Sequence, residues 1–208
     1  MREESNDRSL VVPEIGSTAP EFKGESVQGP VVALTHYRGR QNVLVWLSRG
    51  FTCPFCRRYM AQLASMHARF QALDAEILQI APNLLSQARI FFKNYPLAFP
   101  YLCDTEKTIF STYGLRDMGP FRSMLDASFS FGAAVAQGEF TRTVRASWLD
   151  TLASGRQIPD RIAHHSLHEM QQGMFVVDRA GLVRFARVFG PLENIPGNEE
   201  LMEVLKGL

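Results

Sequence analysis

Two cysteines, Cys53 and Cys56, stand two residues apart in the stretch RGFTCPFCRR, residues 49–58, with Pro54 between them and Arg49, Arg57 and Arg58 around them. Such a pair supports three chemistries: a redox dithiol, half of a metal site, or two inert core thiols. A structural zinc site needs two further ligands at similar spacing, and Cys103, the third cysteine of the chain, offers no second pair. Redox chemistry needs one sulfur held as thiolate and a second within reach of it. A cysteine just before a helix meets backbone N–H groups that lack an intrahelical partner, together with the positive end of the helix dipole, and both favour the thiolate.

The flanking sequence places Cys53 in that setting. VLVWLS, Val43 to Ser48, is a continuous apolar run of strand length, the pattern of a central strand covered on both faces. Beyond the pair, Cys56, Tyr59, Met60, Leu63, Met66 and Phe70 recur at helical spacing, which predicts a helix from about Pro54 to Phe70 with one stripe on the sheet. Pro54 suits the first helical position, where its fixed φ is already helical and its missing N–H is not needed. Cys56 then lies one turn on, close enough to attack a sulfur at Cys53. The three arginines add charge that favours a thiolate. Cys53 is therefore expected to be the low-pKa thiol, and Cys56, on the apolar stripe, the higher one.

Further strands and helices follow in alternation. EILQIAP, Glu76 to Pro82, reads as a strand, and Asn83 as the cap of a helix whose apolar side is Ala88, Phe91, Phe92 and Tyr95. FPYLCD is a short extended piece before a helical EKTIFSTYGL. Upstream, the glycines and prolines between Leu10 and Gly39 predict loops and a hairpin such as VVALTHY. MFVVD and VRFARV flank DRAG, where Gly181 suits a left-handed turn, so two strands should pair there. Asn198 offers a cap to a last helix with Glu199 and Glu200 in its first turn and Leu201, Val204, Leu205 and Leu208 as its stripe.

The length of 208 residues fits one α/β domain of ordinary core size, residues 10–208, carrying an insertion at about 117–170, with residues 1–9 a mobile tail. The connection from Asp117 to Met170 is too long to lack structure of its own. FRSMLDASFSFGAAVAQGEF and VRASWLDTLASG read as helical, and Phe121, Leu125, Phe129, Trp148 and Leu149 need covering by a lid position over the cysteines or by a homodimer contact. A net charge of +1 gives no global field for nucleic acid or an anionic membrane. No apolar run approaches the roughly 20 residues of a bilayer span. The start, MREESNDRSL, has no apolar signal region, and three cysteines, an odd number, fit a reducing compartment, so the expected location is the cytoplasm.

Other reactive residue types are weighed against plainer roles. His164, His165 and His168 share helical spacing beside Glu169, but no second ligand cluster accompanies them, so a solvated segment is expected and no metal. Cys103 sits in an apolar YLC context and is expected to be a buried small hydrophobe. Thr52 can bond a substrate oxygen or the thiolate, or cap local backbone. Trp46 is a core or pocket-wall residue.

In order along the chain, GSTAPEF, VVALTHYRGRQNVLVWLSRGFTCPFCRRYMAQL, FPYLCDTEKTIFSTYGL and MFVVDRAGLVRFARV resemble the peroxiredoxin-like branch of the alkyl hydroperoxide reductase and thiol-specific antioxidant family, on a thioredoxin fold. The resemblance implies a central mixed β-sheet flanked by helices, with the helical insertion before the C-terminal β-hairpin. It implies Cys53 as attacking thiolate and Cys56 as its resolving partner, a peroxide substrate, no cofactor, and reset by a thioredoxin-type or low-molecular-weight thiol. The chain departs from the family's Pro-x-x-x-Thr-x-x-Cys motif, with Trp46 and Gly50 where proline and threonine would stand. A second family arginine would fall at Gln172, and no proline lies between Gln171 and Met174, where thioredoxins carry one facing the cysteines. The alternatives are a general thiol–disulfide oxidoreductase acting on protein disulfides with the same two sulfurs, and a non-enzymatic binding protein on the same fold.

Overall fold

The computed structural model describes residues 11–116, 170–190 and 195–208. The expected tail and helical insertion, with their aromatic residues and His164, His165 and His168, lie outside the described residues, except for Met170. Strand β3, Asn42–Leu47, is buried at every residue. It pairs in parallel with β4, Ala75–Ala81, which pairs in parallel with β5, Tyr101–Cys103. On its other side β3 pairs antiparallel with β6, Gln172–Val177, and β6 with β7, Val183–Phe189. The order β5-β4-β3-β6-β7 is the central mixed sheet expected. Parallel neighbours cannot be joined by a tight turn, so helix α1, Pro54–Ala72, carries the chain from β3 to β4.

Strand alternation divides the core in two. Leu44 and Trp46 of β3, Ile77 and Ala81 of β4, and Met174 and Val176 of β6 face α1, α2 (Leu85–Asn94) and α4 (Asn198–Lys206). Val43, Val45, Leu47, Leu78, Ile80, Phe175 and Val177 face the opposite way. They are covered by α3, Thr108–Thr112, and by the N-terminal segment with its hairpin β1, Lys23–Glu25, and β2, Val31–Ala33. A one-residue slip of β6 would exchange its two faces, so the pattern Gln172, Met174, Val176 against Gly173, Phe175, Val177 fixes its register. Each fully buried Leu, Ile or Phe contributes roughly 1.5–3 kcal/mol relative to exposure.

Several expectations are corrected. VVALTHY is not itself a hairpin: Val31–Ala33 is its second strand, paired with Lys23–Glu25, and Leu34–His36 turns into a 3-10 helix. The helix expected over EKTIFSTYGL is limited to five residues, held by the Asp104 carboxylate, which accepts the N–H groups of Thr108, Ile109 and Phe110. Asn83 does not cap α2, whose N-cap is Leu84, because its side chain turns inward to Tyr101. Asn198 is the first helical residue of α4 rather than its cap, and its amide donates to Met66 Sδ. Tyr95 and Leu208, assigned to apolar stripes, are exposed. Gly181 does adopt φ +83 at the β6–β7 turn.

Candidate active site

Cys53 is the N-cap of α1, in extended conformation, with Pro54 in the first turn. Its sulfur accepts the backbone N–H of Cys56 at 3.5 Å, as a capping serine or aspartate oxygen would, and its carbonyl accepts the N–H of Arg57 at 3.0 Å. The approach to Cys53 is a tight turn, closed by the Cys53 N–H donating to the Gly50 carbonyl at 3.2 Å. One turn on, the Cys56 thiol donates to Oε1 of Gln172 at 3.3 Å. Both cysteines are free thiols, each 1% exposed. Gln172, at the first position of β6, is wholly buried on the face toward α1, so the residue that stands in place of a family arginine reaches the second sulfur.

The electrostatics separate the groups. Burial pushes the Cys56 thiol well up and the neighbouring Cys53 sulfur adds to this, while the Arg49 guanidinium and backbone amide act in the opposite sense. Arg49 is buried, Arg57 half-buried and Arg58 exposed. Arg57 lines a groove of about 330 Å³ with Met60, Ala64, Phe91, Tyr95 and Leu97. Trp46 is wholly buried, its indole edge-on to the Tyr59 ring at 5.1 Å. Cys103 is partly rather than fully buried; burial raises its thiol to about 12, against a smaller opposing pull from Arg89.

The surroundings of the pair are unusually polar for a buried region. Among the described residues, Trp46 Nε1, Thr52 Oγ1, Gln79 Oε1, Asn83 Nδ2 and Gln172 Nε2 are buried and make no hydrogen bond within the protein. Ser48, Phe51, Gln79, Asn83 and Tyr101 belong to this neighbourhood, and sequence reasoning did not assign them to it. Phe51 stacks on Phe91 at 4.7 Å, while its N–H donates to the Tyr101 hydroxyl at 3.3 Å. A usable signal was Gly50: it has φ +81, and a Cβ there would overlap the Asn83 carboxamide and lie 2.6 Å from the Tyr101 hydroxyl oxygen. A threonine therefore has neither the backbone conformation nor the space at this position. No cis peptide occurs among the described residues, Gln171 to Met174 included.

The two sulfurs stand at a helix N-terminus, in the loop after the central strand of a mixed sheet, and the similarity to known proteins extends far beyond the pair: residues 15–186 match the AhpC/TSA family. The chain belongs to the AhpC/TSA family. Within the overlap it is 30% identical over 105 residues to the thiol-disulfide oxidoreductase ResA of Geobacillus thermodenitrificans, covering 49% of this chain and 58% of that one. It is likewise 30% identical over 93 residues to peroxiredoxin Bcp of Bacillus subtilis, covering 45% and 59%. The chain thus spans a little under three fifths of the length of these curated relatives. Its fold is similar to that of peroxidoxin BcpB from Mycobacterium tuberculosis, with TM-score 0.60 and 12% identity over 94% of this chain and 98% of that one. The reduced 2-Cys peroxiredoxin of Plasmodium vivax superposes with TM-score 0.58 at 15% identity, over 93% and 94%. These likenesses identify the thioredoxin-type fold of this AhpC/TSA chain. Among its described residues no three His, Cys, Asp or Glu stand together as a metal cluster, and no helix is long and apolar enough to cross a membrane.

Proposed function

We propose that the chain is a thiol-dependent peroxidase working through Cys53 and Cys56. The observation that supports this most directly is the Cys53 sulfur at the N-cap of α1, where it accepts the Cys56 amide while the Cys56 thiol is held one turn away by Gln172. The Cys53 thiolate attacks one oxygen of a peroxide ROOH; the O–O bond breaks, the alkoxide takes a proton and leaves as ROH, and Cys53 becomes a sulfenic acid. Cys56 then attacks the Cys53 sulfur, and the hydroxyl of the sulfenic acid leaves as water with the Cys56 proton. An external dithiol, or two monothiols, reduces the resulting disulfide and is itself oxidised. No cofactor is required. Burial of both sulfurs favours a small oxidant over a protein disulfide, which must bring its own sulfur into contact. A thioredoxin-type or low-molecular-weight thiol as reductant, a cytoplasmic setting, and an insertion acting as lid or homodimer contact belong to the same proposal.

The similarity to ResA supports a second reading, exchange with protein disulfides through the same sulfurs. One sample separates them. Reduced protein is mixed in parallel with hydrogen peroxide and with a disulfide-bonded protein substrate, and the loss of each is followed. The peroxidase reading expects faster peroxide loss and a disulfide joining Cys53 to Cys56 by mass mapping, with Cys53→Ser inactive and Cys56→Ser stopping at a sulfenic acid. Rapid disulfide reduction with little peroxide loss would establish the second reading, and neither activity would leave a binding protein.

A further inference from the structure

Tyr101 belongs to β5, the edge strand two places from β3, yet its hydroxyl reaches the loop that follows β3. There it accepts the Phe51 N–H at 3.3 Å and donates to Oδ1 of Asn83. Both side chains are buried, and the space they fill is the space left by the missing side chain of Gly50. On the other side of the same glycine, the Gly50 N–H donates to Ser48 Oγ at 3.1 Å, which also accepts from Gln79 Nε2 at 2.9 Å. The turn running from Gly50 to Cys53 is therefore gripped at two successive amides before it closes on itself.

We propose that Tyr101 and Asn83 are positioning residues for the thiol chemistry of Cys53, acting through the turn from Gly50 to Cys53. The inference deepens the peroxidase reading and rests on it for the peroxide step alone. Packing does not require the hydroxyl, because a phenylalanine fills nearly the same volume and the ring already lies against Phe51 and Phe92. The hydroxyl and the carboxamide are buried at a desolvation cost that an apolar pair would avoid, and the Asn83 amino group makes no bond within the protein in return. What the pair secures is the orientation of the Phe51 peptide. The turn that follows fixes where the Cys53 sulfur meets the Cys56 amide, and a small rotation lengthens that 3.5 Å contact and withdraws the sulfur from the helix end. Tyr101 also shares a field with the second thiol: charge on Cys56 is one of the causes that raise its hydroxyl, after burial and Cys103.

The test uses the full-length reduced chain and its Tyr101→Phe, Asn83→Ala and double variants. The rate of Cys53 alkylation by iodoacetamide is measured against pH by peptide mapping, beside thermal melting and hydrogen peroxide consumption. The expected result is a Cys53 profile displaced to higher pH in each single variant, with about a 3- to 10-fold lower alkylation rate in mildly acid solution, equivalent to half to one pH unit. Peroxide consumption should fall by a similar factor, and the double variant should be no slower than the slower single variant, since the two residues act as one unit. A lower melting temperature with an unmoved alkylation profile would overturn the proposal and leave the pair a structural one. Should Tyr101→Phe fail to fold, Asn83→Ala, which keeps the ring, is read on the same profile. If the unaltered chain consumes no peroxide, the peroxidase reading falls, while the alkylation profile still decides the positioning role.

Discussion

The two faces of the sheet are built from the same three strands and have different contents. Toward α3 and the N-terminal hairpin, the buried residues of β3, β4 and β6 are Val43, Val45, Leu47, Leu78, Ile80, Phe175 and Val177. Toward α1 the same strands present Trp46, Gln79 and Gln172 among their apolar residues, on the side that holds both cysteines. One face is a packing surface, and the other gives up part of its packing to hold polar groups near two sulfurs. A substitution on the first should therefore change stability alone, and one on the second should change thiol reactivity more than stability.

The largest expected effect tests the packing face. Phe175→Ala removes a wholly buried ring that meets Tyr113 edge-on at 4.9 Å. It should cost about 3–5 kcal/mol in denaturant unfolding and leave the pH profile of Cys53 alkylation unchanged. A shifted profile would mean that the two faces are coupled through the sheet. Gly50→Ala comes next: the left-handed backbone and the overlap with Asn83 should cost roughly 2–4 kcal/mol, with slower Cys53 alkylation in whatever fraction folds.

Gln172→Leu sharpens the contrast from the site side. Removing a buried amide with an unpaired amino group should change stability by no more than about 1 kcal/mol in either direction. With no acceptor for the Cys56 thiol, the disulfide should close several-fold more slowly after oxidation of Cys53, read by quenched-flow mass spectrometry. The smallest effect concerns Cys103, away from the pair. Below its ordinary value of 9.0 the thiol is protonated in both folded and unfolded chains and has no pH-dependent effect. Between 9.0 and about 12 the unfolded chain releases the proton and the folded chain retains it, so stability falls as pH rises through that window. Cys103→Ala should make the decline in denaturation midpoint over that range shallower.

Much of this arrangement could be read in the residues. The continuous apolar run of β3, the helical spacing after Cys56 and the two alternating strands around Gly181 are periodic signals carried by neighbouring residues, and they located the sheet, α1 and the cysteine pair at its helix end. Gln172 stands out in the sequence only through the resemblance, and no local signal predicts its bond to Cys56. Asn83 shows why the rest was hidden. An asparagine before an apolar helical pattern is a sound local cap, but its partner, Tyr101, lies on another strand, and only the folded sheet brings them together. Tertiary pairing overrode a local preference, as it did for Asn198 and Met66.

The depth at which the sulfurs lie also sets a clock. In the reduced chain each sulfur is 1% exposed, and a reductant of the proposed disulfide must place its own sulfur in line with one of them. If the oxidised pair stays as deep as the reduced one, each cycle of the proposed reaction requires the first turn of α1 to open locally. The free energy of that local opening becomes a ceiling on turnover, one that should rise steeply with temperature and be insensitive to how much peroxide is supplied. Oxidation of a fresh sample would appear as a fast burst, and everything after it would run at the pace of the helix end.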